Sequence, residues 1–275
     1  MGGLEGKVAL ITGSARGQGR SHAVRLAEEG ADIIALDLCA QIDTVSYPLP
    51  TEDDLKETAR LVEALGRRVV TSVVDTRDLD ALSDAVNAGI GELGRLDIVV
   101  ANAAIWCIST DEPRDRKRRM NVWRDTMDVN VTGTWNTLEA TVPILVERGN
   151  GGSIILISST AGLRGNANND LSLTAYTTSK HALVGMMRVY ANDLARHSIR
   201  VNSIHPTAVA TEMIENDVMR AYAADNPGVF DLMSNALPIA AIEPADVSNG
   251  VVYLASESGR YVTGVTLPVD AGFNL

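Results

Sequence analysis

Short, almost uninterrupted apolar runs recur down this chain and constrain its fold more than any other feature. Lys7-Val8-Ala9-Leu10-Ile11-Thr12, Ala31-Asp32-Ile33-Ile34-Ala35-Leu36-Asp37, Asp97-Ile98-Val99-Val100-Ala101 and Ile154-Ile155-Leu156-Ile157 are the clearest. A strand without polar alternation has no face fit for water, so both of its faces must be covered. Val69 to Val74 and Arg200-Val201-Asn202-Ser203-Ile204 read as further strands. Helical periodicity fills the gaps, over Gln18 to Glu29, Leu55 to Leu65, Leu79 to Ile90, about Arg119 to Arg148, and Ala175 to Arg196. Gly30 and Gly66 supply helix stops. This order predicts a single doubly wound, Rossmann-type α/β domain over residues 1–275, a parallel sheet with helices on both faces. No linker and no internal repeat divides it.

Two segments interrupt the alternation. A turn-rich insertion at about 38–50 contains Tyr47-Pro48-Leu49-Pro50 and follows the carboxyl end of a strand, where such sheets bind ligands. An ordinary surface excursion is the competing reading. The second segment, at about 207–237, is framed by Pro206 and Pro238 and reads as a helical flap, expected to act as a substrate lid.

Charge excludes several functions. A net charge of −11 argues against binding a phosphate backbone, so no nucleic acid partner is expected. No apolar stretch is long enough to span a bilayer, and no membrane partner is expected. The N-terminus shows neither a signal peptide nor a myristoylation pattern. The 2 cysteines, Cys39 and Cys107, lack metal-ligand spacing, which leaves no metal site and suits reduced thiols in the cytoplasm. The basic residues Arg114, Arg116, Lys117, Arg118, Arg119 and Arg124 are interleaved with Asp111, Glu112, Asp115 and Asp125, as on a solvated helix start.

The first strand-to-helix turn is Thr12-Gly13-Ser14-Ala15-Arg16-Gly17-Gln18-Gly19. Gly13 permits a tight turn, Gly17 a close backbone approach, and Gly19 contact between helix and sheet. The helix N-terminus then offers free N–H groups and a positive dipole end to a pyrophosphate. Asp37 ends the second strand, where a carboxylate accepts hydrogen bonds from ribose hydroxyls and repels a 2′-phosphate. This favours NAD over NADP. Arg16 is the contrary hint, since it could meet a phosphate.

Tyr176 and Lys180 stand one helical turn apart. A free tyrosine, with a pKa of about 10, is a poor base near neutrality. A neighbouring cation favours the phenolate and lowers that value. The pair is a candidate proton-transfer unit, although a Tyr/Lys pair at this spacing is also a common surface contact.

Taken in order, the three glycines, Asn102-Ala103-Ala104, Asn130, Ser158-Ser159 and Tyr176-x-x-x-Lys180 resemble the short-chain dehydrogenase/reductase family over nearly the whole chain. The insertion after Asp37 and Asn168-Asn169-Asp170-Leu171 are similar to the carveol dehydrogenase-like, mycofactocin-associated subgroup. The resemblance implies an NAD-dependent oxidoreductase that interconverts a secondary alcohol and its ketone. Ser159 would hydrogen-bond the substrate oxygen, Tyr176 would be the general acid/base, and Lys180 would lower its pKa and bind the nicotinamide ribose. Asn130 would hold a water linking Lys180 to solvent. Cofactor contacts are implied at Gly13, Ser14, Arg16, Gly17, Gln18, Gly19, Asp37, Leu38, Asp75, Thr76, Asn102, Ala103, Tyr176, Lys180, Pro206, Val209 and Thr211. The resemblance also implies a homotetramer and NAD that stays bound and is served by an external redox carrier. Ala104 and Thr207 stand where the family usually has glycine, and an insertion around Asn166 to Leu173 separates Ser159 from Tyr176.

The alternative is a non-catalytic dinucleotide-sensing regulator on the same fold, which would be expected to lack the Tyr or the Lys. Among the remaining residues, Trp106 has the best claim to line a pocket, and His205 reads as a packed histidine at a strand end. Ile105, Trp106, Leu163, Met213 and the apolar flap favour an apolar, cyclic or terpenoid-like alcohol.

Overall fold

Aliphatic and β-branched residues with no polar alternation form the centre of the sheet. The computed structural model describes residues 3–108, 115–165, 171–225 and 234–275. Its strands are β1 (Val8–Thr12), β2 (Asp32–Asp37), β3 (Val69–Val73), β4 (Ile98–Ala101), β5 (Gly152–Ile157), β6 (Ile199–Pro206) and β7 (Thr266–Val269). They pair in parallel in a 7-stranded sheet, in the order β3-β2-β1-β4-β5-β6-β7. β1, β2 and β4 are buried at every position, whereas the edge strands β3 and β7 are partly open.

Side chains alternate between two cores because the strand period is two. One face sends Leu10, Ile34, Val99 and Leu156 against α3 (Leu79–Leu93), α5 (Gly133–Arg148) and α6 (Leu171–Leu194), through Leu82, Leu138 and Met187. The other sends Ala9, Ile11, Ile33 and Val100 against α1 (Gly17–Glu28), α2 (Glu52–Ala64) and the helix Pro244–Ala255. Each fully buried aliphatic side chain contributes roughly 1.5–3 kcal/mol. Strand order reverses at β1, which lies between β2 and β4. A crevice therefore opens at the carboxyl ends of these strands.

The helix expected from Arg119 to Arg148 is divided. Residues Arg116–Met127 form α4, Asp128–Thr132 a π turn, and Gly133 begins α5. Gly133 permits the crossing there, since a Cβ would stand 2.5 Å from Thr76 Oγ1. α2 begins earlier than its periodicity suggests because Thr51 and Asp54 form a capping box. Helix α7 (Asp217–Asp225) lies in the flap, and α8 (Pro244–Ala255) is a further helix that the alternation did not reveal. Residues 109–114, 166–170 and 226–233, and with them Arg114, Asn168-Asn169-Asp170 and Pro227-Gly228, fall outside the described residues.

The insertion after β2 has a core of its own. Ile42, Val45 and Tyr47 are buried against Ile105, Cys107, Val122 and Val129. Gln41 closes it, donating from Nε2 to Val45 O at 2.8 Å and accepting at Oε1 from Leu49 N at 3.0 Å. Thr44 Oγ1 donates to Asp125 Oδ2 at 2.7 Å, which fastens the loop to α4.

Asp97 joins the starts of β1 and β4. It accepts from Val8 N at 2.9 Å, Arg95 Nη2 at 2.6 Å and Lys7 Nζ at 3.4 Å. Burial would raise its pKa, but Arg95, the Val8 N–H and Lys7 outweigh it and hold the carboxyl below its usual range. A depressed folded pKa gives stability that is present above the unfolded value of about 3.9 and lost as pH falls through the folded value. Asp97→Asn should lower the thermal midpoint at neutral pH. The gap from wild type should close as the pH is taken below about 4 in a melting series.

Candidate active site

The crevice at the strand ends is lined first by the glycine turn. Gly13 and Gly17 adopt φ of +66° and +53°, left-handed values that suit glycine. A Cβ on Gly13 would lie 2.8 Å from Ala103 Cα, and one on Gly19 would lie 1.9 Å from Gly13 O. Asn102 secures the turn from the next strand, its Nδ2 donating to Thr12 O at 2.9 Å and Gly13 O at 3.0 Å.

Helix α1 opens differently from its neighbours. Thr51, Asp78 and Asp115 cap α2, α3 and α4 with side-chain oxygens. Arg16, at the N-cap of α1, makes no such bond, and the first turn carries no acid. The positive end of α1 thus faces the crevice uncapped. The uncapped helix start and the glycine turn fit the diphosphate of a dinucleotide.

Asp37 lines the same cavity. Its carboxylate accepts from Ala15 N at 2.9 Å and Cys39 N at 3.1 Å, which fixes it at the end of β2. Burial raises its pKa, and these N–H groups and Arg16 oppose the rise. Arg16 itself is directed elsewhere. Its Nη2 donates to Pro48 O, and its Nε lies 3.9 Å from Glu212 Oε2, so it links the turn to the insertion and the flap. Asp75 is held by Arg77, whose Nη2 donates to Oδ2 at 2.6 Å.

At the other end of the cavity, α6 packs against the end of β5. Lys180 Nζ donates to Ile157 O at 2.9 Å, and Ser158 Oγ donates to Lys180 O at 2.9 Å. Ser159 is the serine beside the Tyr176 phenol that opposes the rise in its pKa, and its Oγ accepts from Ala161 N at 3.1 Å. Burial pushes the Tyr176 phenol up to about 12, against the lowering effect of Ser159. Burial also lowers Lys180 to about 7. The Lys180 Nζ is turned to a carbonyl and stands 5.6 Å from the Tyr176 ring centre, so desolvation is the larger influence.

Asn130 lies in the π turn, fully buried. Its Nδ2 donates to Ile105 O at 3.0 Å and Ser179 Oγ at 3.0 Å, and its Oδ1 accepts from Ile105 N at 2.8 Å. Both amide protons are thereby committed to joining α6 to the segment after β4.

Of the residues expected around a cofactor, Gly13, Arg16, Gly17, Gln18 and Gly19 line the cavity. Asp37, Leu38, Asp75, Thr76, Asn102 and Ala103 do so from the strand ends, with Tyr176, Lys180 and Thr211 opposite. Ser14, Asn130, Ser159, Pro206 and Val209 are not among its walls. Ser14 is turned inward, its Oγ donating to Leu36 O at 3.1 Å. Ile42, Tyr47, Leu49 and Pro50 of the insertion also line the cavity, in keeping with the loop's place at the carboxyl end of β2.

Two further residues hold the site. His205 Nδ1 donates to Ser159 O at 2.8 Å, so Nε2 carries no proton and accepts from Ser203 Oγ at 2.8 Å. Burial lowers this histidine to about 4 and keeps it neutral. Thr207, at a family glycine position, donates from Oγ1 to Asn235 Oδ1 at 2.7 Å and ties the far end of the flap to β6.

With this geometry in view, comparison with known proteins is specific. The family profile described as short chain dehydrogenase matches residues 7–221. The (-)-trans-carveol dehydrogenase of Rhodococcus erythropolis is 47% identical over 286 aligned positions that cover 100% of both chains. The crystal structure of carveol dehydrogenase from Mycobacterium avium in complex with NAD is similar with a TM-score of 0.90 and 48% identity, over 99% of each chain. A short chain dehydrogenase from Mycobacterium paratuberculosis bound to NAD gives a TM-score of 0.91 and 48% identity, over 98% of each chain.

Gly19→Ala tests the cradle. Its Cβ forces the turn apart, so dinucleotide affinity measured by calorimetry should fall by at least about tenfold, or roughly 1.4 kcal/mol. Wild-type affinity would contradict the assigned close approach.

Proposed function

The chain belongs to the short-chain dehydrogenase family, and we propose that its Tyr176, Ser159 and Lys180 carry out proton transfer for that chemistry. The protein is an NAD-dependent oxidoreductase that interconverts a secondary alcohol and its ketone. The observation that carries the assignment of residues is the Tyr176 phenol beside Ser159, with Lys180 Nζ 5.6 Å from its ring centre, within the cleft that the uncapped α1 enters.

NAD, when bound, supplies the hydride acceptor and a positively charged ring. Every other role falls to side chains. The alcohol oxygen lies between Ser159 and Tyr176. The phenolate takes the hydroxyl proton as the carbinol carbon is oxidised, and in reduction the phenol returns it. Ser159 donates to the oxygen as negative charge develops on it. The protonated form of Lys180 favours the phenolate, against the burial that disfavours it. Asn130 acts through position, setting α6 against the segment after β4. A water on the path from Lys180 would meet Asn130 through atoms other than its committed amide protons.

Asp37 selects NAD by accepting ribose hydroxyls and repelling a 2′-phosphate. Arg16 serves the closure around the cleft. The insertion at about 38–50 covers the cofactor, and residues 207–237 act as the lid. This cover supports NAD that is retained between turnovers and reoxidised by an external redox carrier, as expected of the mycofactocin-associated subgroup. The substrate is apolar and cyclic or terpenoid-like, in keeping with Met213, Ile214, Leu173 and Tyr222 around the phenol. Exposed Trp135, Val189 and Tyr261 are consistent with assembly as a homotetramer. Two free thiols suit the cytoplasm. Among the described residues, no helix is long and apolar enough to cross a membrane.

Tyr176→Phe should reduce turnover by at least about a thousandfold while dinucleotide binding persists; general acid/base catalysis supplies about 10²–10⁴. A variant that keeps most of its kcat would remove Tyr176 from the chemistry. A panel of cyclic alcohols, assayed with NAD and NADP and with and without an artificial electron acceptor, tests selectivity and retention together. At least about tenfold preference for NAD is expected, the 1.4 kcal/mol scale of one charge-assisted contact. Turnover should also depend on the acceptor. Equal use of NADP would overturn the role of Asp37, and full multiple turnover without the acceptor would overturn retention.

A further inference from the structure

The chain leaves β4 through Asn102-Ala103-Ala104-Ile105-Trp106, and the backbone polar groups of the last two residues all have partners. Asn130 Oδ1 accepts from Ile105 N at 2.8 Å, and its Nδ2 donates to Ile105 O at 3.0 Å. Trp106 N donates to Tyr47 Oη of the insertion at 3.4 Å, and Trp106 O accepts from Ile108 N at 2.9 Å. The buried indole packs with Ile108, Leu173, Met219 and Tyr222. Its ring stacks on the Tyr176 phenol at 5.3 Å between centroids, with 26° between the planes. Tyr176 lines the cavity and Trp106 does not, so the indole backs the phenol from within the protein.

Proton transfer makes a demand that such a contact meets. The phenol oxygen must come within about 2.6–3.2 Å of the alcohol oxygen. Position on α6 fixes the Cβ of Tyr176, but the ring beyond it turns about a broad second torsion. Lys180 stands 5.6 Å from the ring centre with its Nζ given to the Ile157 carbonyl, so it touches the ring only in passing. The flat surface against the phenol is the indole, and stacked aromatic pairs hold a preferred geometry. The indole is kept there at a cost, because its Nε1–H is buried with no hydrogen-bond partner among the described residues. A leucine would fill the core without that cost. What the indole adds is a wide, rigid face on a backbone that is itself pinned from both sides.

We infer that Trp106 is a positioning residue: its indole, held through Tyr47 and the Asn130-anchored backbone, braces the Tyr176 ring so that the hydroxyl meets the alcohol oxygen. The insertion beside the cofactor cleft is thereby joined to the general acid/base through one hydrogen bond and one stack. Trp106 acts through Tyr176 and exchanges no proton itself. This inference rests on the oxidoreductase reading and deepens it.

Trp106→Leu keeps an apolar side chain and removes the flat ring, whereas Trp106→Phe keeps a ring. With the most active alcohol of the cyclic panel and the NAD-loaded enzyme, Trp106→Leu should lower kcat about tenfold and leave KM within about twofold. A shift of about 1 Å in a reacting group can cost about a hundredfold, so a partial displacement suffices. Trp106→Phe should recover most of the loss. The solvent deuterium isotope effect on kcat should rise in Trp106→Leu, because a misplaced phenol slows the proton transfer. Equal losses in both variants, a loss confined to KM, or an unchanged isotope effect would overturn the inference. Ring mobility is read without turnover by magnetic resonance of protein labelled at the tyrosine Cε carbons, with Tyr176 assigned through Tyr176→Phe. A braced ring flips slowly, so its two Cε positions should give separate signals in wild type that merge in Trp106→Leu. A single averaged signal in wild type would overturn the brace whether or not the variants fold. If no alcohol is oxidised while the separate signals are seen and merge as expected, the oxidoreductase reading fails and the brace stands.

Discussion

A reciprocal pair of hydrogen bonds between α6 and the end of β5 sets the rest of the site. Lys180 Nζ donates to the Ile157 carbonyl, and Ser158, the next residue, donates from Oγ to the Lys180 carbonyl. Two bonds in opposite directions fix both the height and the rotation of the helix against the sheet. Gly162 lets the approach happen, since a Cβ there would stand 2.4 Å from Ser158 Oγ. Once that register is fixed, helical geometry places Tyr176 one turn back, facing Ser159. Asn130 and His205 then hold the neighbouring segments with side chains that the chemistry does not consume.

The same molecule caps several helix starts with side chains and leaves that of α1 without one. Three of the described helices begin under a Thr or Asp side chain, while α1 begins at Arg16 without one. That difference, with a glycine turn that Asn102 pins from below, sets apart the end of the cleft to which we assign the dinucleotide.

Much of this was legible in the sequence because it is local. The strands declare themselves by continuous apolar runs, and the phosphate turn, Asp37 and the Tyr176–Lys180 pair each depend on a few neighbouring residues. What stayed hidden depends on residues distant in sequence. Arg16 could be weighed as a phosphate ligand until the fold turned it toward Pro48 and Glu212. The π turn at Asp128–Thr132 has ordinary helical periodicity, and only tertiary contacts require the extra residue. The pull of Lys180 on Tyr176 was sound as a pairwise argument, but pairwise reasoning omits burial, which moves both groups toward neutrality. The stack of Trp106 on Tyr176 joins positions seventy apart, beyond any pattern of spacing.

The central claim is that a secondary alcohol held at Tyr176 and Ser159 passes its carbinol hydrogen directly to NAD in this cleft. A single-turnover reaction with a cyclic alcohol deuterated at the carbinol carbon tests it most directly. The account predicts reduced nicotinamide carrying the deuterium on one face of its C4 position, in step with ketone formation and slowed relative to the undeuterated alcohol. Ketone formed while the reduced nicotinamide carries no deuterium would contradict it.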